Sequence, residues 1–97
     1  MSEASGYALV MTTVASEEAA EELAEKIVAS GLGACVQVLP IRSFYKWKGE
    51  TMRDCERLLL VKTRAGLYPR LEEFIRANHG YETPEIVQLS IERGFSR

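Results

Sequence analysis

Histidine and cysteine, the residues that most often hold metals or act as nucleophiles, are scarce in this sequence. Its one histidine is His79, and its two cysteines, Cys35 and Cys55, lie twenty positions apart and outside any CxxC pair. This spacing argues against the common structural zinc motifs and against a thioredoxin-like redox pair. The sequence also lacks a GxSxG elbow, a P-loop and a GxGxxG turn, so the usual hydrolase and nucleotide-binding sites are not predicted.

The sequence has neither a long apolar run nor a strong excess of one charge. No stretch approaches the ~20 apolar residues that cross a bilayer, and the polar start MSEASG lacks the features of a secretory signal. Twelve basic and 14 acidic residues give a net charge of −2, which argues against a nucleic-acid surface. We therefore expect a cytoplasmic protein that has no membrane or nucleic-acid partner and whose two thiols are free.

What is present is the pattern of one small domain with strands and helices. A chain of 97 residues that is 46% apolar and 27% charged suits a single core. We assign residues 1–6 to a flexible lead and residues 7–97 to this domain. The apolar, β-branched run YALVMTTV at 7–14 predicts a strand. Ser16 as N-cap, Gly31 as C′ residue and the apolar stripe between them predict a helix.

A long hairpin is predicted over residues 34–63. Its first strand contains Pro40, which is expected to bend or interrupt it, and Gly49 lies at the predicted turn before the returning strand ETMRDCERLLLVKT. The two strands of the hairpin are longer than the first and last strands. Its tip therefore exposes unpaired edges and the aromatic side chains of Phe44, Tyr45 and Trp47. Because proteins rarely leave such edges bare, we expect these three residues to lie in the interface of a small homo-oligomer.

The remaining sequence predicts a second helix and a last strand. Pro69 suits the first turn of a helix whose inward stripe is Leu71, Phe74, Ile75 and Asn78. The run EIVQLSI at 85–91 predicts a strand. The order βαββαβ, without a linker or a repeat, indicates a ferredoxin-like α+β sandwich, in which an antiparallel four-stranded sheet carries two helices on one face.

The segment ANHGYETPEI, residues 77–86, holds the candidate polar residues. His79 is predicted in the last turn of the second helix, where the helix dipole favours an imidazolium. Asn78 falls on the apolar stripe, where a buried amide either caps backbone carbonyls or faces a site. Glu82 and Glu85 either ligate a cation or are simply solvated. Cys35, in an apolar strand, is interpreted as an inert core thiol.

Three stretches, in this order, resemble the CutA divalent-cation tolerance family: GLGACVQVLPIRSFYKWKGE, LLLVKT and HGYETPEIVQLSIERG. The resemblance runs from about Tyr7 to Gly94. It implies a ferredoxin-like protomer, a tight homotrimer joined through the long hairpins, and a non-enzymatic role in tolerance of divalent cations, with copper or another divalent cation as ligand. The matching positions are Ala34, Cys35, Pro40, Ser43, Tyr45, Trp47, Gly49, Lys62, Thr63, His79, Tyr81, Pro84 and Glu85.

The family's proposed copper ligands are a thiol late in the first strand and two histidines that end the second helix. Here these positions are Met11, Asn78 and His79, so only His79 is retained. The thioether of Met11 suits the soft ion copper(I), whereas the amide of Asn78 is a poor copper ligand. The resemblance therefore implies a metal site at these three residues, with Glu82 and Glu85 as outer candidates.

Two further implications of the resemblance concern the assembly. The family's trimer is similar in shape to PII-type signalling proteins, so one alternative function is signalling through a small anionic metabolite bound between subunits by Lys46, Lys62 and Arg64. A second alternative is a purely structural trimeric scaffold. The family also continues with a Tyr-Leu-x-Trp helix, whereas this sequence ends Phe95-Ser96-Arg97. Either this sequence is shortened or the family's C-terminal helix is absent.

Overall fold

The computed structural model describes residues 5–95 of the chain. Its four strands pair antiparallel throughout, in the spatial order β2-β3-β1-β4. This confirms the ferredoxin-like α+β fold predicted from the sequence. The elements are β1 Tyr7–Val14, α1 Glu17–Ser30, β2 Cys35–Trp47, β3 Glu50–Arg64, a 3-10 turn Ala65–Leu67, α2 Tyr68–Ala77 and β4 Ile86–Ile91.

The predicted N-terminal lead is described only at Ser5 and Gly6; residues 1–4 lie outside the described chain, as do residues 96 and 97. The Ser5 hydroxyl donates a hydrogen bond to the Ile91 carbonyl at the end of β4. The Gly6 carbonyl accepts a hydrogen bond from the Ala65 N–H at 2.8 Å. These two residues are therefore attached to the domain on both sides of β1.

The hydrophobic core lies between one face of the sheet and the two helices. Helix α1 begins where the Ser16 hydroxyl accepts a hydrogen bond from the Ala19 N–H at 3.1 Å, and it ends at Gly31, whose φ of 80° is left-handed. Because strand side chains alternate between faces, every second residue of β1 enters this core. The buried apolar residues of the cluster are Val10, Val14, Ala20, Leu23, Ile27, Leu32, Leu59, Val61, Leu71 and Ile75.

The β2–β3 hairpin is continuous from end to end. Its turn is Lys48-Gly49, with φ values of 51° and 83°, the pattern of a two-residue turn that matches strand twist. Pro40 was expected to bend or interrupt β2, yet the strand passes through it, because β2 is an edge strand and one side of it needs no ladder donors. The same edge position leaves Cys35 exposed, so the core-thiol interpretation is wrong. Both cysteines are free, as predicted.

The second face of the sheet carries no helix within residues 5–95, and we call it the open face. The strand registers place apolar side chains from all four strands on it. Leu39, Val87 and Leu89 are exposed there, the last to 49%. The apolar members of the open face are Tyr7, Leu9, Met11, Leu39, Leu58, Leu60, Val87, Leu89 and Ile91.

Candidate cation site around His79

His79 lies just beyond the end of α2, with both of its ring nitrogens in hydrogen bonds. The backbone N–H of Tyr81 donates to Nδ1 at 3.0 Å, so Nδ1 must be the acceptor and Nε2 must carry the proton. The Nε2–H then donates to the carbonyl oxygen of Thr13 at 2.7 Å. The segment after α2 is thereby attached to the end of β1 through a neutral imidazole.

Tyr81 continues this contact towards the hairpin. Its ring lies against the imidazole of His79, with centroids 5.0 Å apart, and its hydroxyl donates to Oε2 of Glu56 at 2.6 Å. Burial, and then the hydrogen bond to Glu56, raise the pKa of the Tyr81 phenol well above its usual value. The phenol is therefore held in its neutral, donating form.

A second tyrosine–carboxylate pair lies next to the first on the same face of the hairpin. The hydroxyl of Tyr45 donates to Oδ2 of Asp54 at 2.5 Å, and this hydrogen bond is the main cause that raises the pKa of the Tyr45 phenol. Because Asp54 and Glu56 are two residues apart on β3, they point to one face. Each of the two carboxylates already accepts a hydrogen bond from a phenol.

The other predicted ligands are Asn78, Glu82, Glu85 and Met11, and their surroundings in the structure differ. Asn78 was expected on the buried stripe, but α2 ends at Ala77 and the amide is exposed. Of the two roles predicted for it, capping is confirmed, because Nδ2 donates to the Phe74 carbonyl at 2.8 Å. Glu82 and Glu85 are also exposed. Met11 is half-buried on the open face, two residues before the Thr13 carbonyl that His79 contacts.

These donors do not form a closed metal site within one chain. Among residues 5–95, no three histidine, cysteine, aspartate or glutamate side chains come together in a way that holds a metal ion. His79, the best donor of the set, has no free lone pair, since Nδ1 accepts from Tyr81 and Nε2 carries a proton. A metal at this ring must therefore displace one of its two hydrogen bonds.

The residues of the anionic-metabolite alternative are far apart within one chain. Lys46 pairs with Thr51 near the hairpin tip, whereas Lys62 pairs with Leu9 in the body of the sheet. At about 3.3 Å a residue, the stretch of β3 between these positions measures roughly 35 Å. Lys46 therefore cannot share a small ligand with Lys62 and Arg64 of its own chain.

The aromatic residues of the hairpin tip are exposed, but they do not share one face. The register puts Tyr45 and Trp47 on the face that continues from the open face, and Phe44 on the opposite one. Phe44 is 63% exposed and Trp47 is 59% exposed. Each carries a cation above its ring: Arg53 lies over Phe44 at 6.0 Å and Lys48 over Trp47 at 5.7 Å.

Comparison with known proteins identifies the family. The model of the CutA1 divalent ion tolerance protein family matches residues 8–97. This chain belongs to that family. The family assignment inferred from the motifs is thus confirmed, and it concerns tolerance of divalent cations; it specifies neither copper nor an oligomeric state.

The relatives show how much of their length this chain represents. It is 46% identical over 87 residues to the divalent-cation tolerance protein CutA of Thermus thermophilus, covering 89% of this chain and 84% of that protein. It is 42% identical to the chloroplastic protein CutA 1 of Oryza sativa, but covers only 49% of that protein. The chain therefore spans most of the bacterial relative and about half of the plant one.

A solved structure agrees with the fold and corrects one expectation. The structure described as the periplasmic divalent cation tolerance protein CutA from Archaeoglobus fulgidus superposes with a TM-score of 0.89 at 35% identity, over 92% of this chain and 87% of that one. With family members described as periplasmic and as chloroplastic, the predicted cytoplasmic location is contradicted. The domain itself does not determine the compartment, so a missing signal pattern was no basis for that prediction. No helix among residues 5–95 is long and apolar enough to span a membrane.

Sequence reasoning missed the two tyrosine–carboxylate pairs. A signal for them was present in the alternation of Asp54, Cys55 and Glu56 along one strand, which sends both carboxylates to the same face. The bond from Tyr81 to Glu56, however, joins residues 25 positions apart. It depends on where the segment after α2 crosses the hairpin, which spacing alone does not give.

Proposed function

We propose that this chain acts in divalent-cation tolerance as a homotrimer that binds copper or another divalent cation and catalyses no reaction. Membership in the divalent ion tolerance family supports the role. The observation that carries the assembly is the open face, an apolar sheet surface that no helix among residues 5–95 covers. An exposed apolar surface of this kind is typical of an interface.

The trimer is supported by the position of the open face beside the hairpin. β2 and β4 are both edge strands, and the tip residues Phe44, Tyr45 and Trp47 are exposed. A hairpin that projects past its own sheet has free backbone groups for strand pairing with a neighbour. Pairing of unlike surfaces around a rotation axis closes into a ring. In a ring of three copies, the β2 edge and the β4 edge of each chain both have a partner.

For the cation, we propose His79 as the anchoring ligand, with Met11 and Asn78 as further donors and Glu82 and Glu85 as outer ones. Binding at His79 requires the ring to release either the Tyr81 N–H or the Thr13 carbonyl. Cation affinity is therefore reduced by the free energy of that lost hydrogen bond. The thioether of Met11 favours copper(I), whereas the carboxylates favour harder ions.

The assembly is tested by sedimentation velocity over a range of protein concentrations. The proposal expects a species of three times the 10.9 kDa chain mass that persists on dilution to the micromolar range. A stable monomer at that concentration contradicts the trimer. A stable dimer contradicts it as well, because two copies do not form the three-membered ring that the proposal requires.

The cation site is tested by calorimetric titration of copper(I), copper(II) and zinc into the wild-type protein and two variants. His79→Gln removes the imidazole and keeps a polar side chain near Thr13 and Tyr81, and we expect affinity to fall by about tenfold or more, as on loss of one metal ligand or its support. Glu21→Gln, at an exposed position of α1 outside the proposed site, is the matched control with a small effect. In nitrogen-proton correlation spectra, the Tyr81 amide should shift as the ion binds.

Two outcomes of this titration contradict the cation proposal. Unchanged affinity in His79→Gln removes His79 from the site. An absence of saturable binding for all three ions contradicts direct cation binding altogether, while leaving the assembly measurement unaffected.

A further inference from the structure

The two faces of the projecting hairpin carry opposite charge. In the sequence Arg53-Asp54-Cys55-Glu56-Arg57 the two acidic residues occupy alternate positions between basic or uncharged ones, and a β-strand sends successive side chains to opposite faces. Asp54 and Glu56 therefore lie on the face that continues the open face, where Tyr45 and Tyr81 donate to them. Arg53, Cys55 and Arg57 lie on the other face, which we call the basic face.

Strand β2 adds two more cations to the basic face. The register pairs Arg42 with Cys55 and Lys46 with Thr51, so both cations project on the same side as Arg53. Directly opposite residues are about 5 Å apart and diagonal neighbours about 7–8 Å apart. Arg42 thus has the Cys55 thiol across from it and an arginine at each diagonal.

Little within the chain neutralises these cations. Among residues 5–95, one carboxylate lies within 4.0 Å of these cations. It belongs to Glu17, whose Oε1 is 3.8 Å from a guanidinium nitrogen of Arg57. Arg42 and Arg53 have no ion pair with a described residue. Their sequence neighbours of opposite sign cannot reach them, because the strand turns those carboxylates to the opposite face. The register therefore places Arg42, Arg53 and Arg57 around Cys55 on one face, and among residues 5–95 their one ion pair is that of Arg57 with Glu17.

The basic face also borders a shallow concavity. An open depression of about 340 Å³ lies at the base of the hairpin and is lined by Pro40, Ile41, Arg42, Cys55 and Arg57. Arg42 and Cys55 are exposed, and Arg57 is half-buried with one nitrogen donating to the Glu56 carbonyl at 3.4 Å. The arginine forks at either side are the donors best suited to a tetrahedral oxyanion.

We propose that this depression binds a phosphate-type anion between Arg42 and Arg57. A doubly charged, compact anion relieves the repulsion of the arginines and accepts from both forks at once. An extended polyanion such as RNA fits poorly, because the N-terminal half of α1, with Glu17, Glu18, Glu21 and Glu22, borders the ion pair to Arg57. The site lies on the face of the hairpin opposite the Tyr81–Glu56 contact and does not depend on the cation proposal.

The test uses the Cys55 thiol as a reporter in a Cys35→Ser background. The rate of modification by N-ethylmaleimide, a neutral reagent, is measured while inorganic phosphate or pyrophosphate is titrated, with sodium chloride at matched ionic strength as control. We expect both phosphates to slow modification in a saturable manner, with pyrophosphate the tighter ligand, and chloride to have little effect. Equal slowing by chloride, or no slowing by either phosphate, overturns the proposal.

Variants distinguish the arginine site from a general charge effect. Arg42→Gln should weaken phosphate protection by about tenfold or more, the usual cost of a lost charge-assisted hydrogen bond, and Arg42→Lys should give an intermediate loss because the charge remains without the fork. Arg76→Gln is the control, since Arg76 pairs with Glu73 at 3.0 Å on α2. Protection that is equal in Arg42→Gln and wild type overturns the proposal.

Two measurements exclude other occupants of the basic face. Sedimentation of Arg42→Gln should match that of the wild type; a change in assembly mass assigns the face to contact between copies and overturns the anion site. In the second measurement, the rate of Cys55 modification is followed with phosphatidylglycerol vesicles in place of free phosphate. If the vesicles protect Cys55 and free phosphate does not, the ligand is a lipid surface and the proposal of a small-anion site fails.

Discussion

The hydroxyl of Tyr81 donates a hydrogen bond of 2.6 Å to the carboxylate of Glu56, a residue only 9% exposed. This contact joins the segment that follows α2 to the middle of β3. It also lies next to the imidazole of His79, whose own bonds reach β1. The candidate cation site is thus held by polar contacts between three separate parts of the chain.

Tyr81→Phe should destabilise the protein by about 2 kcal/mol, because it leaves a buried carboxylate without its donor. The free energy of unfolding is measured by chemical denaturation. Tyr68→Phe is the control: the Tyr68 hydroxyl donates to Glu72, a half-buried partner within the same helix, at 2.9 Å, and its loss should cost less. Equal stability of Tyr81→Phe and wild type would show that water replaces this bond without cost.

Stability should fall at alkaline pH through the same tyrosine. Burial and the bond to Glu56 raise the pKa of Tyr81 in the folded protein, whereas an unfolded tyrosine titrates near pH 10. Above about pH 10 the unfolded state therefore binds fewer protons than the folded state, and the free energy of unfolding decreases as pH rises towards the folded pKa. Tyr81→Phe should show a shallower decrease, with the remainder due to Tyr45 and Tyr68, whose pKa values are also raised.

Gly33→Ala should destabilise the fold by about 1–3 kcal/mol, as overpacking of a tight core does. A Cβ at Gly33 would lie 2.7 Å from Cγ2 of Ile27 and 2.7 Å from Cγ1 of Val61, and both side chains are fully buried. Gly66→Ala is the matched control, since nothing lies within 4 Å of a Cβ built there. Denaturation midpoints of the two variants should differ clearly; similar midpoints would contradict close packing at Gly33.

A pair of threonines tests how buried hydroxyls contribute. Thr12 is fully buried, and its Oγ1 has no hydrogen-bond partner among the described residues, so Thr12→Val should stabilise the protein by about 1 kcal/mol. Thr63 is also buried, but its Oγ1 donates to the Leu32 carbonyl at 2.7 Å. Thr63→Val should therefore destabilise by about 1 kcal/mol or more. Thermal unfolding of both variants checks the opposite signs.

The fold was predictable because its local signals agree with one another. The N-cap at Ser16, the C′ residue Gly31 and the apolar, β-branched run at 7–14 each point to the element that is observed. Where two principles competed, the prediction failed: Pro40 was weighed as a strand breaker without knowing that β2 lies at the sheet edge. Cys35 was predicted to be buried because its sequence neighbours are apolar. It is exposed because β2 is an edge strand.

The candidate site was less predictable because it depends on contacts between distant segments. Helical spacing correctly allowed Asn78 to cap a backbone carbonyl, that of Phe74, but wrongly placed it on the buried stripe, because α2 ends one residue earlier and the side chain is exposed. The two hydrogen bonds of His79 reach Thr13 and Tyr81. The contact with Thr13 crosses 66 positions, and no pattern within a short window contains it.

The open face offers a direct test of the assembly through two matched substitutions. Leu89 on β4 is 49% exposed and lies on the open face; Val28 on α1 is 48% exposed and lies on the helix side. If the open face is buried between copies, Leu89→Lys places a charge in an apolar interface and should shift the sedimenting species towards monomer. Val28→Lys should leave the mass unchanged. Retention of the wild-type mass by Leu89→Lys would rule out the open face as the interface, whatever the oligomeric state of the wild type.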